Sequence, residues 1–250
     1  MALTKIGKEG ITGLSNSADA SALFIDSSER VGVGATPNAT FGSHLYAQGT
    51  PAANKPIISA YSQGNSNKAG IGILNDAGNR GIWTDSNDLL FTTSYEGNST
   101  VHMKIDTNGI ITKPLQPAFM ARPASQQANL AINSEVTIVF GTEIFDLNGD
   151  FSSNTFTAPV AGKYQLNMLI YLNNLDSASD YYIVKIKTSN RDYEIVFDPD
   201  FGQDAVYWGT ALSVLADMDA SDTAHVIVNQ NGAVQTDIQT GSVFSGYLVA

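Results

Sequence analysis

At 250 residues and 43% apolar content, the chain has room for one large β domain or two modest ones, each with a packed core. It holds no cysteine, which excludes a disulfide framework, a cysteine-zinc site and a thiol nucleophile. Its 22 Gly and 8 Pro, with frequent Asn, Ser, Thr and Asp, cut the apolar residues into short runs, so turns are expected to be dense and long helices absent.

Charge divides unevenly. Residues 1–116 carry 8 Lys and Arg against 9 Asp and Glu, whereas residues 117–250 carry 5 against 15, which places −10 of the net −11 in the second half. A half this acidic repels nucleic acid and anionic membranes, so neither is expected as a partner. No apolar run approaches the ~20 residues needed to cross a bilayer, so membrane insertion is not expected. The start, Met1-Ala2-Leu3-Thr4-Lys5-Ile6-Gly7-Lys8, lacks the apolar centre of a signal peptide, and synthesis without secretory export is expected.

In chain order, residues 1–20 are rich in Gly, Ser and Ala, with apolar residues only around Ile6, Ile11 and Leu14. Such a segment buries too little to fold alone and is expected to order against a partner. Residues 22–34, ALFIDSSERVGVG, read as strand, turn, strand. The same form returns at residues 101–111, VHMKIDTNGII, where Asn108-Gly109 predicts a two-residue hairpin turn with positive φ at both positions. Between them, Pro56–Tyr61, Ala69–Leu74, Gly81–Thr84 and Leu89–Thr93 predict strands of about 4–6 residues. Strands so short have little core and poorly protected edges. A small β domain within one chain and a shaft of several intertwined chains both bury them, and the second also removes the edges. Lys113-Pro114-Leu115-Gln116-Pro117 holds two prolines three apart, which predicts an extended domain boundary there. The expected organisation is therefore an attachment segment at 1–20, a β-rich shaft at 21–116 and a head at 117–250.

From Ala118 onward the pattern predicts an antiparallel sandwich, with strands at Ala118–Ala121, Glu135–Phe140, Phe151–Thr157, Lys163–Leu172, Tyr181–Thr188, Tyr193–Asp198, Ala205–Ala216, Ala224–Asn229 and Val243–Val249. Tyr164, Leu166, Met168 and Ile170 share one strand face. The last strand is apolar on both faces, with Phe244, Gly246 and Leu248 on one and Val243, Tyr247 and Val249 on the other. That suits a strand lying between a core and a subunit interface.

Residues 118–250 resemble the globular head of the C1q and tumour-necrosis-factor superfamily. The resemblance is carried by Ala118-Phe119, Val136–Phe140, Phe156-Thr157-Ala158-Pro159 followed by Gly162-Lys163-Tyr164, and Phe244-Ser245-Gly246-Tyr247-Leu248. It implies a ten-stranded jelly roll that assembles as a homotrimer, with Phe119, Phe156, Tyr164, Phe244 and Tyr247 in the core or the trimer interface. The chain departs from the family at Asp219-Ala220-Ser221-Asp222, where a Gly-Asp pair is usual, and no collagen-like tract precedes the head. The first half resembles tail-fibre proteins of tailed bacteriophages at three places: Met1–Ile6, the Ile25-Asp26-Ser27-Ser28 element running to Pro37, and residues 103–119. Together these resemblances imply an all-β homotrimeric virion fibre, made in the host cytoplasm. Its N-terminus would attach to another virion protein of tail or capsid, and its head would bind a host surface glycan or protein. The alternatives are a decoration protein whose head mainly trimerises and a polysaccharide-degrading tailspike.

No catalytic constellation stands out. His44, His102 and His225 lie in unrelated contexts, and nucleophile-elbow, phosphate-loop and zinc-protease motifs are missing. Paired carboxylates for glycoside hydrolysis need a long scaffold to hold them, and the sequence shows no such repeat array, so an enzyme is not expected. The most distinctive polar stretch is Phe197-Asp198-Pro199-Asp200-Phe201-Gly202-Gln203-Asp204. Asp198, Asp200, Phe201, Gln203, Asp204 and Trp208 are the candidate receptor-binding residues. Asp198, Asp200 and Asp204 are candidate calcium ligands, since calcium prefers clustered oxygens. An acidic turn without metal is the competing reading. Phe201, Tyr207 and Trp208 could stack on sugar or pack inward; because Tyr207 and Trp208 are adjacent in a strand, one of them is expected to face the core or the trimer axis.

Overall fold

The computed structural model describes residues 23–25, 31–33, 45–47, 68–75, 78–93, 100–232 and 235–250. All regular structure among them is β, and none of them forms a helix long and apolar enough to cross a membrane. Compactness divides the chain into two units, Met1–Ile71 and Gly72–Ala250. In the first, β1 (Leu23–Ile25) pairs antiparallel with β2 (Val31–Val33), as the strand-turn-strand reading expects, and β2 pairs parallel with β3 (Leu45–Ala47). The expected attachment segment at 1–20, the strand at Pro56–Tyr61 and His44 lie outside the described residues.

A five-stranded sheet follows in sequence order: β4 (Lys68–Asn75), β5 (Gly78–Asp85), β6 (Asp88–Thr92), β7 (Val101–Ile105) and β8 (Ile111–Thr112). At 8 residues each, β4 and β5 exceed the expected length. From β5 to β8 each strand pairs with the next in the same chain, so these edges are satisfied without intertwining. The turn at Asn108-Gly109 is also corrected. Gly109 alone has positive φ, its amide donates to the Asp106 carbonyl at 3.0 Å, and Asp106 donates to Ile110 at 3.0 Å. This is a type I turn closed by a glycine bulge, which adds a residue to the connection. Asp106 selects it, since one carboxylate oxygen accepts the amides of Asn108 at 2.8 Å and Ile110 at 2.9 Å. Those contacts, the Ile110 amide foremost, hold the Asp106 carboxyl below its ordinary range. The proline boundary is not extended either: Gln116 N donates to Lys113 O at 3.0 Å, which makes a turn over Pro114-Leu115.

The head is a jelly roll of two sheets. One runs β11 (Thr142–Asp146), β9 (Ala118–Arg122), β20 (Val243–Leu248), β14 (Gly162–Leu175) and β17 (Ala205–Met218), with β19 (Asp237–Ile238) also on β14. The other runs β12 (Phe151–Ser152), β13 (Thr155–Thr157), β18 (Thr223–Asn231), β15 (Tyr181–Thr188) and β16 (Asp192–Phe197), with β10 (Glu135–Thr137) also on β18. Tyr164, Leu166, Met168, Ile170 and Leu172 alternate inward along β14 and are fully or nearly fully buried. Phe119 joins the sheets: its ring stacks on Phe151 at 4.9 Å and on Phe156 at 4.8 Å, and meets the Phe244 edge at 5.0 Å. Aromatic groups in these geometries add roughly 0.5–1.5 kcal/mol per pair beyond burial. Phe119, Phe156, Tyr164 and Phe244 are thus core residues, whereas Tyr247 points outward and is 48% exposed.

Strand β20 lies central in its sheet because two glycines let the chains approach. A Cβ on Gly246 would sit 2.7 Å from Leu166 Cδ2 and 2.9 Å from Phe119 Cε1. One on Gly162 would sit 2.7 Å from the Ala250 carbonyl oxygen, which accepts Lys163 N at 2.8 Å. Two expected strands change and one strand was not expected. Phe151–Thr157 is a hairpin, because Ser153 and Asn154 both have positive φ between Ser152 and its partner Thr155. Glu135–Phe140 stops at Thr137, after which Ile138 and Phe140 enter the core and Phe140 N donates to Asn154 Oδ1 at 2.8 Å. Strand β11 was hidden by a bulge between Glu143 and Phe145, which puts Ile144 and Phe145 both outward.

Candidate functional site

Antiparallel pairing places three groups of residues at the end of the head opposite Pro117: 176–180 after β14, 198–204 after β16, and Gly232 with 235–236 after β18. A buried polar network supports them. Tyr182 Oη lies 2.7 Å from Thr236 Oγ1 and accepts Asp176 N at 3.2 Å. Thr236 N donates to Gln230 Oε1 at 3.1 Å, and Gln230 Nε2 donates to Ser179 Oγ at 3.2 Å. Gly232 has no room for a side chain, since a Cβ there would fall 2.2 Å from Ser179 Oγ. Paired buried groups of this kind fix loop positions more firmly than surface contacts do.

Within this frame the 198–204 loop is shaped locally. Asp198 Oδ1 accepts Asp200 N at 3.0 Å, Phe201 N donates to Pro199 O, and Gly202 adopts a φ of 75°. Asp204 turns to the neighbouring loop, where Oδ1 accepts Ser177 N at 3.0 Å and Ser177 Oγ at 2.9 Å; these bonds hold its carboxyl below the ordinary range. Among the described residues no three His, Cys, Asp or Glu side chains form a group able to hold a metal ion. Of the three candidate calcium ligands, Asp198 closes a local turn through Oδ1 and Asp204 holds Ser177 through Oδ1.

The aromatic residues do come together. Tyr182, buried, stacks on Phe197 at 5.3 Å; Phe197 meets Trp208 at 5.6 Å; Trp208 stacks on Phe201 at 4.9 Å. The ladder runs from the core to a surface ring, with Phe201 44% exposed. Trp208 packs on the core and Tyr207, on the opposite face of β17, is 71% exposed, which is the division that strand alternation predicts. Gln203 is exposed beside them, as are Asp198 and Asp200. The loop therefore presents an aromatic ring flanked by amide and carboxylate groups.

One polar cluster was not legible in the sequence. On the outward face of β15, Lys185 is buried between Glu135 and Asp192, its Nζ 2.5 Å and 2.6 Å from their carboxylates, while Lys187 Nζ lies 3.0 Å from Glu135. Burial works against the Lys185 charge, but hydrogen bonds to Asp192 and Glu135 outweigh it and hold the ammonium above its ordinary value. Glu135 is held below its own, by Lys185 first and Lys187 second. His225, opposite Lys187 across β18, is held below the usual imidazole value by burial and then by Lys187. Glu135, the β15–β16 hairpin and His225 are far apart in sequence, so only strand pairing assembles the group.

The outward face of the other sheet has a different chemistry. Leu169, Ala211 and Val243 lie in one row across β14, β17 and β20; Gln165, Leu215 and Tyr247 lie in another, and Asn167, Ser213 and Ser245 lie between them. These three rows hold no charged side chain, in a half of the chain with a net charge of −10.

Two face-to-face antiparallel sheets with this strand order define a jelly-roll head of the C1q and tumour-necrosis-factor type. The C1q domain family matches residues 118–249, and the chain belongs to that family. Among solved structures, the globular domain of zebrafish complement 1qA protein is 18% identical with a TM-score of 0.41, covering 54% of this chain and 98% of its own. Murine APRIL is 8% identical with a TM-score of 0.40, covering 54% and 99%. PRD1 vertex protein P5 is 15% identical with a TM-score of 0.37, covering 54% and 96%. No curated protein matches the chain. Domains of this type are structural or binding modules that form homotrimers.

Proposed function

We propose that the chain is a homotrimeric virion fibre protein whose C-terminal head binds a host cell-surface glycan or protein through the loops at its far end. The observation that carries this reading is the contrast between the two outward faces of a C1q-family head. Three rows without charge cross one sheet, while Lys185, Glu135, Asp192 and Lys187 occupy the other. The three uncharged rows suit burial against further copies, with Lys163 and Asp217 in the next row at their margin, and the charged face suits solvent. Trimerisation about the first face leaves the 198–204 loops of three copies at one end, so three modest contacts act together by avidity. Phe201, on its ladder to the core, supplies the rigid apolar contact; Gln203, Asp198 and Asp200 supply hydrogen-bonding groups. In this reading the first residues attach to another virion protein of tail or capsid, as their resemblance to tail-fibre sequences implies.

The test is competition for adsorption. Excess purified protein reduces attachment of the particle to its host, and Phe201→Ala competes about tenfold less well, the loss of ~1.4 kcal/mol at the contact. Full competition by Phe201→Ala moves the binding site elsewhere on the head. No competition by the native protein leaves only the decoration role. Release of reducing sugar from host polysaccharide would mark a degrading spike instead.

A further inference from the structure

We infer that the β5–β8 sheet packs by one defined face against the same sheet in two other copies, forming a three-sided stalk beneath the head. In an antiparallel ladder, directly opposite residues project to the same side. Ile82 stands opposite Phe91 and Phe91 opposite Met103; Leu89 stands opposite Ile105 and Ile105 opposite Ile111. These six apolar residues share one face with Thr84, and Arg80, near the start of β5, lies at the margin of the same face. The other face holds Asp85, Asp88 and Lys104, with an ion pair of 2.8 Å between Lys104 and Asp88, and Trp83 Nε1 donates to Thr92 Oγ1 at 2.8 Å. The sheet is thus one-sided in the way of sheets with one face covered.

Among the described residues that face is only partly covered: Ile82, Leu89, Phe91, Met103 and Ile105 are half-buried, Ile111 is 57% exposed, and none of the six belongs to the head core or packs against it. Further copies of this chain are the occupant, for two reasons. The apolar centre of the face needs an apolar partner, which the same face of another copy supplies. The tether also keeps the copies close. Only residues 113–117 separate β8 from β9, and they are bound to the head: Gln116 Nε2 donates to Leu248 O at 2.6 Å, Leu248 N to Pro117 O at 3.0 Å, and Asn148 Nδ2 to Leu115 O at 3.0 Å. When three heads assemble, three sheets are held at their base at high effective concentration. The inference rests on the trimeric reading of the head, but differs from intertwining: each sheet is complete in its own chain and only faces meet.

The chain has no cysteine, so single thiols report the geometry directly. Met103→Cys, at the centre of the apolar face, and Thr112→Cys, opposite Lys104 on the charged face, are made in the full chain, and each is sized by light scattering and cross-linked with a short bis-maleimide. In the expected result both remain trimers and Met103→Cys links two of every three chains into dimers, since three thiols round an axis pair two at a time, while Thr112→Cys stays single. Trimers in which Met103→Cys links no better than Thr112→Cys overturn the stalk and leave the trimeric head standing. A single-chain mass for the native protein removes both. Should Met103→Cys disturb assembly, Ile111→Cys, at an exposed position of the same face, decides by the same criterion.

Discussion

At the residue scale, Ser221 shows how a departure from family pattern is absorbed. The turn before β18 needs a left-handed residue, and Ser221 supplies it with a φ of 75° where the family usually places glycine. The surrounding bonds keep it there: Ser221 N donates to Ala158 O at 2.7 Å, and Asp222 Oδ2 accepts Asp219 N at 2.8 Å and Asn190 Nδ2 at 2.9 Å. A non-glycine residue in that region costs about 1–2 kcal/mol, and part of the gain from glycine is lost to unfolded-state entropy. Ser221→Gly is therefore expected to stabilise the head by roughly 0.5–1 kcal/mol, read as a rise of a few degrees in Tm. Ser221→Ala, which keeps the strain, provides the control and should not rise.

His225 gives the pH dependence at the same scale. Its folded-state pKa lies below the unfolded one, so the unfolded chain binds the proton more readily, and stability falls as pH drops from the unfolded imidazole value through the folded one. Glu135 is likewise depressed and loses its contribution further down, below the ordinary carboxylate range. Thermal melts from pH 7.5 to about 2 should show Tm falling in two stages, and His225→Gln should remove the upper one. A His225→Gln profile parallel to that of the native protein would place the acid sensitivity elsewhere.

At the scale of elements, β20 is held by close approach as well as by alternation. Gly246 lies under Phe119 and Leu166, so Gly246→Ala crowds the centre of the core. Overpacking of this kind costs about 1–3 kcal/mol, measurable by urea unfolding as a lowered midpoint with an unchanged slope. A changed slope would show that the native or unfolded ensemble had altered instead. The inward register of β14 was legible in the sequence because Tyr164, Leu166, Met168 and Ile170 alternate without interruption. The Phe151–Thr157 hairpin was not, because its turn depends on Ser153 taking positive φ beside Asn154, and serine, unlike asparagine, does not announce that conformation. Strand β11 was missed for the opposite reason: its bulge breaks the alternation on which strand reading relies.

For the whole molecule, the decisive quantity is mass in solution. In the trimeric reading light scattering returns three times the chain mass of 26.5 kDa, whereas a value at the chain mass refutes it. Leu169→Asp places a charge in the uncharged row with Ala211 and Val243 and should shift the trimer toward single chains while the head keeps its fold by circular dichroism. A trimer unmoved by that charge would put the interface on another face.

By itself the sequence determined the all-β class, the inward face of Tyr164, Leu166, Met168 and Ile170 and the opposed directions of Tyr207 and Trp208, because alternation is a local property of the chain. Only the tertiary structure decided the chemistry of the surfaces. Pairing of β10, β15, β16 and β18 brings Glu135, Lys185, Asp192 and His225 together across some 90 positions of sequence, from 135 to 225. The 198–204 loop divides the same way. Its composition marked it as distinctive, but the turn at Asp198 and the bonds from Ser177 to Asp204 engage one oxygen of each of those carboxylates, and stacking on Trp208 holds Phe201 at the surface. Which groups a loop offers depends on which of them its neighbours have already engaged, and those neighbours are set by the fold.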